Sequence, residues 1–569
     1  MNAERLLAHY EKIADAPDAI ARLRRFILDL AVRGKLVPQD PNDEPASELL
    51  KRFAAEKAQL MKAGKIRKPK ALAPINSDDI PVYEEIVGWI WVRLGEASSL
   101  ITKGSTPTSY GHAYTDAGVN FVKVESIRNG VLRPENITSF ISEETNQFLA
   151  RSRLTCGDIL FSIAGSIGTC AVVTEECLPA NTNQALAIIR GTQPVFTREF
   201  LLKSLQSSVA TSILGKARGG AMNNVSLEDI QNFVVPLPPI AEQRRIVAKV
   251  DELMALCDQL EKSRTAREET RDRLTAASLA RLNDPAPETF QTDARFALDA
   301  LPSMTARPDQ IKQLRQTILN LAVRGKLVPQ DPKEGVVKEV ALAMASKGRS
   351  QGTDTIKKRF DVPRGWKWRA TATIADQITD GEHATPPRIT DTQVPLVTAK
   401  NVREGFMDYA QTDWVSRSTA EKAWGRCRPS VGDILLVCVG ATTGRLTVLR
   451  EPKEMVLVRS VALIRPNQEI DAEYLERAIR SPVVQNQIWA SVKVAAQPCL
   501  YINRIQSLLI PVPPLPEQKR IVTRVDELMS LCDRLEVSLA AGETARSRLL
   551  DALLHEALEP AVDRLEAAA

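Results

Sequence analysis

The chain has 569 residues, of which 44% are hydrophobic and 25% charged, and it carries a formal net charge of +5. This balance is typical of a soluble protein with several globular domains, and the mild basic excess permits nucleic-acid binding without proving it. No apolar run reaches the roughly 18 residues of a membrane span, and the N-terminus does not resemble a secretory signal. The eight cysteines form no CxxC pair, so we expect buried, reduced thiols in a cytoplasmic protein rather than disulfides or zinc ligands.

The first predicted element is a helix within residues 17–41, a segment that we call element A. Pro17 and Asp18 suit a helix start, and Gly34 stands where a left-handed residue would end the helix. We expect one face of this helix to pack against a second, longer helix. The apolar residues that define that face are Ile20, Leu23, Phe26, Ile27 and Leu30.

Residues 42–80 are charged and rich in lysine, and they include the basic run KIRKPK at residues 65–70. This composition fits a solvated linker, a helix followed by a linker, or a contact for DNA or a partner. We favour the solvated linker, because a run of charges usually lies in water.

The strand and helix patterns of residues 85–234, the first variable region, predict a compact α/β domain. GWIW at residues 88–91 marks its entrance. Alternating Ile159, Phe161 and Ile163 indicate a strand, two more strands follow near residues 171–173 and 185–189, and a helix is expected over Thr197–Leu214. Asp158 lies in a GDIL turn, where we favour a turn-stabilising carboxylate over a catalytic one.

Polar loops of this region, at residues 103–109, 123–128 and 216–224, are candidate readers of DNA bases. Arginine and lysine can bridge guanine acceptors, asparagine can pair with adenine, and a carboxylate can accept from cytosine. The same residue types also suit ordinary surface loops. The candidates are Lys103, Ser105, Thr106, Thr108, Lys123, Glu125, Arg128, Lys216, Arg218, Asn223 and Asn224.

Residues 235–261, which we call element B, begin with a proline-rich stop after a strand and continue as a helix from about Glu242. Its apolar residues follow a 4-3-4-3 spacing, which predicts a heptad seam on a helix of about 40 residues. Beyond the seam lie Arg264, Arg267 and Arg271, where we favour a solvated face over a stripe that faces DNA. The seam residues are Ile246, Val250, Leu253, Cys257 and Leu260.

Both elements occur a second time, element A at residues 308–332 and element B at residues 510–536, with about two-thirds or more of the positions identical. The order is A, variable region, B, A, variable region, B, and such a repeat decides the architecture. The central B and A can pair directly. The first A and the last B can pair only if the chain ends meet, which would close a pseudo-twofold arrangement.

The second variable region, roughly residues 362–509, keeps the skeleton of the first. GWKW recurs at residues 365–368, LVTAKNVREG at 396–405 matches FVKVESIRNG at 121–130, and GDIL recurs with Asp433. Strands are expected over 434–439, 446–449 and 461–464, and a helix over 471–492. The loop sequences differ, and the DNA-binding candidates here are Asp380, Glu382, His383, Thr385, Lys400, Asn401, Arg403, Lys493 and Gln497.

Motifs of independent catalysis are missing from the sequence. No Gly-Lys pair is followed by serine or threonine as in a phosphate-binding loop, no Asn-Pro-Pro-aromatic or Asp-Pro-Pro-aromatic tetrapeptide occurs, and the four histidines are scattered. We therefore predict no catalytic residue and no metal site. The alternatives are a coiled-coil scaffold without a DNA role and a self-sufficient DNA-modifying enzyme.

Two variable α/β regions, each followed by a helix of the pattern PLPPxxEQxRIV…VDELMxLCDxLE, make the chain resemble specificity subunits of type I restriction–modification systems. The resemblance spans essentially the whole chain. It implies an α+β fold in which two similar α/β target-recognition domains are separated by long antiparallel helices, a coiled-coil spacer, with pseudo-twofold symmetry from a circularly permuted internal repeat. The domains would be residues 1–80, 81–240, 241–361, 362–515 and 516–569.

The same resemblance implies a non-catalytic subunit that binds double-stranded DNA at a bipartite site, one half per domain. The helices would set the gap and dock two methyltransferase subunits, and restriction/translocase subunits would join them. No cofactor is expected on this chain, whereas S-adenosylmethionine, ATP and magnesium are expected on the partner subunits. Such a complex acts as a site-specific deoxyribonuclease and an adenine-N6 DNA methyltransferase.

Overall fold

The computed structural model describes residues 13–64, 72–76, 80, 86–128, 130–193, 195–207, 225–284, 286, 288–338, 360–492 and 498–558. The chain divides into two compact units, Met1–Ala266 with Glu543–Ala569, and Arg267–Gly542. Within the described ranges, no helix is long and apolar enough to cross a membrane. The third candidate loop of each variable region lies outside the described residues, and with it Lys216, Arg218, Asn223, Asn224, Lys493 and Gln497.

The helices and strands follow the predicted skeleton in both variable regions. The helices are α1 (Ala19–Val32), α2 (Ala46–Lys62), α3 (Glu143–Phe148), α4 (Arg198–Gln206), α5 (Leu227–Gln231), α6 (Ile240–Asn283), α7 (Phe290–Asp299), α8 (Leu301–Met304), α9 (Pro308–Val323), α10 (Arg417–Trp424), α11 (Ala472–Arg480), α12 (Pro482–Ser491), α13 (Ile502–Gln506) and α14 (Leu515–Leu558). The strands of the first region are β1 (Ile90–Arg93), β2 (Leu100–Lys103), β3 (Tyr114–Thr115), β4 (Val119–Val122), β5 (Ile127–Arg128), β6 (Val131–Leu132), β7 (Phe140–Ile141), β8 (Ile159–Ser162), β9 (Cys170–Val172), β10 (Ala180–Thr182), β11 (Leu186–Arg190) and β12 (Val234–Leu237). Those of the second are β13 (Lys367–Ala370), β14 (Ala375–Asp380), β15 (Val394–Val397), β16 (Asp413–Val415), β17 (Ile434–Val437), β18 (Leu446–Val448), β19 (Val456–Leu457), β20 (Val461–Pro466) and β21 (Leu509–Val512).

The element B helices, α6 and α14, are each 44 residues long, which corresponds to about 66 Å at 1.5 Å per residue. Their seam residues are buried or half-buried, as the heptad spacing predicts. Ile246 and Val250 are fully buried, and so is Ile521 at the position equivalent to Ile246. The element A helices, α1 and α9, end before Gly34 and Gly325, whose φ angles of 63° and 65° confirm the predicted left-handed caps.

In the first unit, α1 packs on both long helices. Its Arg24 binds Asp258 on α6 at 2.5 Å, and its Arg22 donates to Ser547 on α14 at 3.1 Å. Further along the chain, Arg33 reaches the carbonyl of Leu558. The first element A therefore contacts the helix that carries the last element B, but at residues beyond 510–536, and its contact within an element B is with the first copy, at Asp258.

The second unit repeats this arrangement around α9. Arg315 binds Asp533 on α14 at 2.6 Å, and Asn320 donates to the carbonyl of Asn283 on α6 at 2.7 Å. Helix α9 runs antiparallel to α14 and parallel to α6. The two long helices are therefore antiparallel to each other within this unit. Each element A helix thus packs on two element B helices, whereas the sequence predicted one partner for each. The predicted fold class is confirmed.

Each variable region contains a four-stranded antiparallel sheet, ordered β2-β11-β8-β9 in the first and β14-β20-β17-β18 in the second. Strand β8 is buried on both faces. Ile159 and Phe161 join the core shared with the helices, and Leu160 joins the core on the opposite face. The alternation seen in the sequence therefore separates two buried faces rather than a buried face from a solvated one.

A Glu-Gln pair stands at the start of both copies of element B and fastens each domain to its long helix. Glu242 accepts a hydrogen bond from the Trp89 indole at 2.8 Å, and Glu517 accepts one from Trp366 at 2.9 Å. The neighbouring Gln243 accepts from the backbone of Thr197 at the start of α4. The GWxW and EQ motifs are thus two sides of one contact.

Four sequence predictions require correction. The helix expected over Thr197–Leu214 ends at Gln206, because the backbone of Ser207 is extended. Residues 42–80 are not mainly a solvated linker, because α2 buries Ala46 and Phe53 in the core of the first variable region. The helix expected over 471–492 is two helices, since Pro482 lacks the amide that would continue α11. Strand β12 continues through Pro236. This is possible because β12 belongs to a two-stranded ribbon, in which one edge of each strand makes no ladder hydrogen bonds.

Candidate DNA interface

The first candidate loop begins in both domains with a glycine that lies against strand backbone. A Cβ on Gly104 would meet the carbonyl oxygens of Thr182 and Asn183 at 2.1 Å, and one on Gly381 would meet that of Leu457 at the same distance. The amide of Gly104 donates to Leu186, and the amide of Gly381 donates to Val461. The two loops therefore start from the same backbone frame although their sequences differ.

The second candidate segment is a tight turn in both domains. The amide of Lys123 donates to the Ser126 hydroxyl at 3.2 Å, and the amide of Thr398 donates to the Asn401 side chain at 2.9 Å. Asn401 is buried, and its amide nitrogen donates to the carbonyl of Asp408. The structure thus gives Asn401 a task inside the turn rather than at the surface.

The GDIL carboxylates stabilise turns, as the favoured interpretation predicts. Asp158 accepts from the amide of Thr155 and binds Arg190, whose guanidinium lies 2.5 Å away. Asp433 accepts from Ser430 and binds Arg465 at 2.7 Å in the same way. The hydrogen bonds that Arg190 donates to Asp158 raise the pKa of Arg190, against the opposing effect of burial.

In the first domain, the candidate loop meets exposed aromatic side chains. The Tyr110 ring lies 5.6 Å from the Phe148 ring, and the His112 ring lies 4.8 Å from it. Tyr110 and Phe148 are more than half exposed. Among the candidates in this loop, Thr106 donates to Gln184, Ser105 accepts from Arg151 at 3.4 Å, and Lys103 and Thr108 are exposed.

Two other candidates of the first domain, Lys123 and Glu125, lie near Tyr114. The Lys123 ammonium lies 4.7 Å from the centre of the Tyr114 ring. Burial and the nearby charge of Glu125 raise the pKa of Tyr114. Glu125 and Arg128 are themselves exposed.

In the second domain, the equivalent loop carries charges instead of aromatic rings. Asp380 binds Arg426 at 2.5 Å and His383 at 3.0 Å. Although burial favours the neutral acid, these two hydrogen bonds hold the pKa of Asp380 below its ordinary value. Glu382 pairs by backbone with Val458, and Thr385 is exposed.

At the far end of this loop, Asp413 is shared by two cations. Arg388 lies 3.5 Å and Lys400 3.3 Å from the same carboxylate oxygen. Arg403 binds Asp408 at 3.0 Å. Hydrogen bonds from the backbone of Ala410 and from Arg403 lower the pKa of Asp408.

Sequence reasoning missed the residues that approach the loops from elsewhere in the chain. Tyr110 and Phe148 are 38 positions apart, so local spacing does not reveal their contact. Arg151 and Arg426 could have been found from the sequence, because each is the first residue of the motif RxRxxxGD, which occurs once in each domain.

Comparisons with known proteins place this architecture in a family. The family described as "Type I restriction modification DNA specificity domain" matches residues 86–268 and 403–540, together more than half of the chain. The chain is 28% identical to the "Type I restriction enzyme EcoEI specificity subunit" of Escherichia coli, over 95% of this chain and 94% of the relative. It is 27% identical to the EcoAI specificity subunit of the same species, over 95% and 94% of the two chains.

A solved structure shares the fold. A chain from work on complex assembly and conformational transition of the type I R-M system matches with a TM-score of 0.50 at 21% identity, covering 84% of this chain and 99% of that one. With the repeated recognition domains and the matched family segments, the assignment follows: the chain belongs to the type I restriction–modification DNA specificity family.

Proposed function

We propose that this chain is the sequence-specific DNA-binding subunit of a type I restriction–modification complex, and that each recognition domain reads one half of a bipartite site. One observation carries the proposal. The two domains share a backbone frame around the first loop, down to the buried glycines Gly104 and Gly381, yet they present different side chains there. A constant frame with variable contents suits two readers of two different sequences.

The proposal assigns catalysis to partners. Two methyltransferase subunits would dock on the long helices, which would also set the gap, and they would methylate adenine with S-adenosylmethionine. Restriction/translocase subunits would use ATP and magnesium. The engagement of Asp158 and Asp433 by Arg190 and Arg465 supports a non-catalytic chain, because both carboxylates serve their turns. The complex would work in the cytoplasm.

The direct experiment maps methylated adenines in DNA from cells that express this chain with its partner subunits. We expect a bipartite sequence with a fixed gap. Replacing residues 362–509 by the matching region of a relative should change one half of that sequence only. A change in both halves, or methylation without any common sequence, would contradict the proposal.

The two rival functions give different results with the same material. A self-sufficient enzyme would methylate or cleave DNA as the purified chain alone. A coiled-coil scaffold would leave DNA unshifted in a mobility assay with the partner subunits present. We expect neither outcome.

A further inference from the structure

The motif RxRxxxGD occurs once in each recognition domain, at Arg151–Asp158 and at Arg426–Asp433. Its last residue is the buried turn aspartate. Its third residue is fixed through the backbone, since Arg190 donates to the carbonyl of Arg153 at 2.7 Å and Arg465 donates to that of Arg428 at 3.0 Å. The motif is therefore held at two points by the same buried ion pair.

The first arginine stands two residues before that fixed carbonyl and reaches the first candidate loop. Arg151 contacts the Ser105 hydroxyl at 3.4 Å, and Arg426 contacts Asp380 at 2.5 Å. Both arginines are exposed. The frame thus delivers one guanidinium to the first loop of each domain, to the residue after Gly104 in the first domain and to the residue before Gly381 in the second.

A residue that stays the same while its neighbouring loop changes suits a DNA feature common to both half-sites. Base edges differ between half-sites, whereas phosphates are present in every sequence. A guanidinium matches phosphate geometry and can bind it through two parallel hydrogen bonds.

We propose that Arg151 and Arg426 bind phosphates of the DNA backbone and fix the register of each reading loop, an inference that rests on the proposed function. The two arginines make contacts of different strength in the absence of DNA. Arg151 has a weak, neutral contact, whereas the charge of Arg426 is offset by Asp380 in the absence of DNA. Arg151 therefore contributes more to affinity than Arg426 does.

The test uses the complex of the full chain with its methyltransferase subunits, and a labelled duplex that contains the site mapped from cellular DNA. Arg151→Ala and Arg426→Ala are compared with Arg151→Lys, which keeps the charge. Arg133→Ala is the matched control, because Arg133 is an exposed arginine of the same domain that lies near Glu135. Affinity is measured between 50 mM and 200 mM salt, on the mapped site and on duplexes with single base changes.

We expect Arg151→Ala to lose about one unit of the salt slope, so that its affinity falls about 3.5-fold less than that of the wild type over this salt range. Arg426→Ala should lose less of the slope, because Asp380 offsets the charge of Arg426. The loss should be similar on every duplex, and Arg151→Lys should keep most of the slope. An altered base preference would mean that the arginine reads bases. An unchanged slope, or an equal effect of Arg133→Ala, would also overturn the inference. If the wild-type complex shows no preferred site at all, the proposed function itself fails.

Discussion

The two recognition domains hold their first loops in the same way and fill them differently. Gly104 and Gly381 lie against strand backbone at equivalent places. Directly after the first loop, the Tyr110 ring packs against the Phe148 ring, whereas the second loop carries Asp380, which binds Arg426. The difference teaches that the frame and the contents of a reading loop are separate properties, so that contents can change without loss of the fold.

One feature of the first unit lies outside the frame. Helix α2 of the first unit buries Lys57, whose ammonium donates to the carbonyls of Gly95 and Ser98 at 2.8 and 2.7 Å. Burial lowers the pKa of Lys57. In the second unit, residues 339–359 follow element A and lie outside the described residues, so α2 is described for one unit only.

The largest expected effect comes from breaking the shared frame at its buried ion pair. Asp158→Ala removes the acceptor of both Arg190 and the Thr155 amide, and the carboxylate is only 1% exposed. Loss of one partner of a buried pair costs about 3–5 kcal/mol, and we expect the lower end because Arg190 is partly exposed. Thermal unfolding should show this loss, and methylation should lose the first half-site while the second stays readable.

Asp433→Ala should do the same for the second half-site. The matched control is Asp116→Ala, which removes an exposed carboxylate from the first domain. Equal loss of both half-sites from either frame variant would show that the domains do not act independently.

The next effect comes from the glycines that begin the loops. Gly104→Ala places a Cβ 2.1 Å from backbone oxygens, so the loop must move away from β10. Overpacking of this kind costs about 1–3 kcal/mol, and we expect the affinity for the first half-site to fall about 5- to 150-fold. Gly381→Ala should act on the second half-site alone.

Gly425→Ala is the control for these variants. Its backbone is helical, and an added Cβ would lie 3.3 Å from the nearest carbonyl oxygen. Retained affinity in Gly104→Ala would show that the glycine does not set the position of the loop.

Much of the frame could be predicted from the sequence because it depends on local spacing. The heptad spacing of apolar residues predicted α6 and α14, and the alternation of apolar residues predicted β8. The repeat of GDIL indicated the turn aspartates. The sequence did not reveal the burial of α2, since Lys57 reads as a solvated charge until its three carbonyl partners are seen. It also did not reveal which side chains meet the loops, because Asp380 and Arg426 are 46 positions apart.

Loop contents should have smaller effects that differ between the domains. Phe148→Ala removes an exposed ring pair worth about 0.5–1.5 kcal/mol, and it should alter base preference in the first half-site without lowering the melting temperature by more than a few degrees. Asp380→Asn removes the carboxylate that offsets Arg426. It should steepen the salt dependence of binding by making that guanidinium available to phosphate.

Methylation mapping and a salt titration of the two variants check this contrast. A change in the second half-site caused by Phe148→Ala would contradict the assignment of aromatic contents to the first domain. A shallower salt dependence in Asp380→Asn would contradict the offset of Arg426.

The smallest effect should be the same in both domains, because it belongs to the shared frame. Burial raises the pKa of Glu242 and of Glu517 above the ordinary value of 4.5, against the hydrogen bonds from Trp89 and Trp366. An acid with a raised pKa in the folded state binds its proton more tightly there. Its contribution to stability is complete below about pH 4.5 and is lost as the pH rises through the folded pKa.

Glu242→Gln and Glu517→Gln keep an oxygen for the indole but cannot titrate. The free energy of unfolding, measured with denaturant between pH 4 and pH 7, should therefore fall less steeply with rising pH in each variant than in the wild type. A flattening in one domain only would show that the two Glu–Trp contacts, alike in geometry, differ in their electrostatic surroundings.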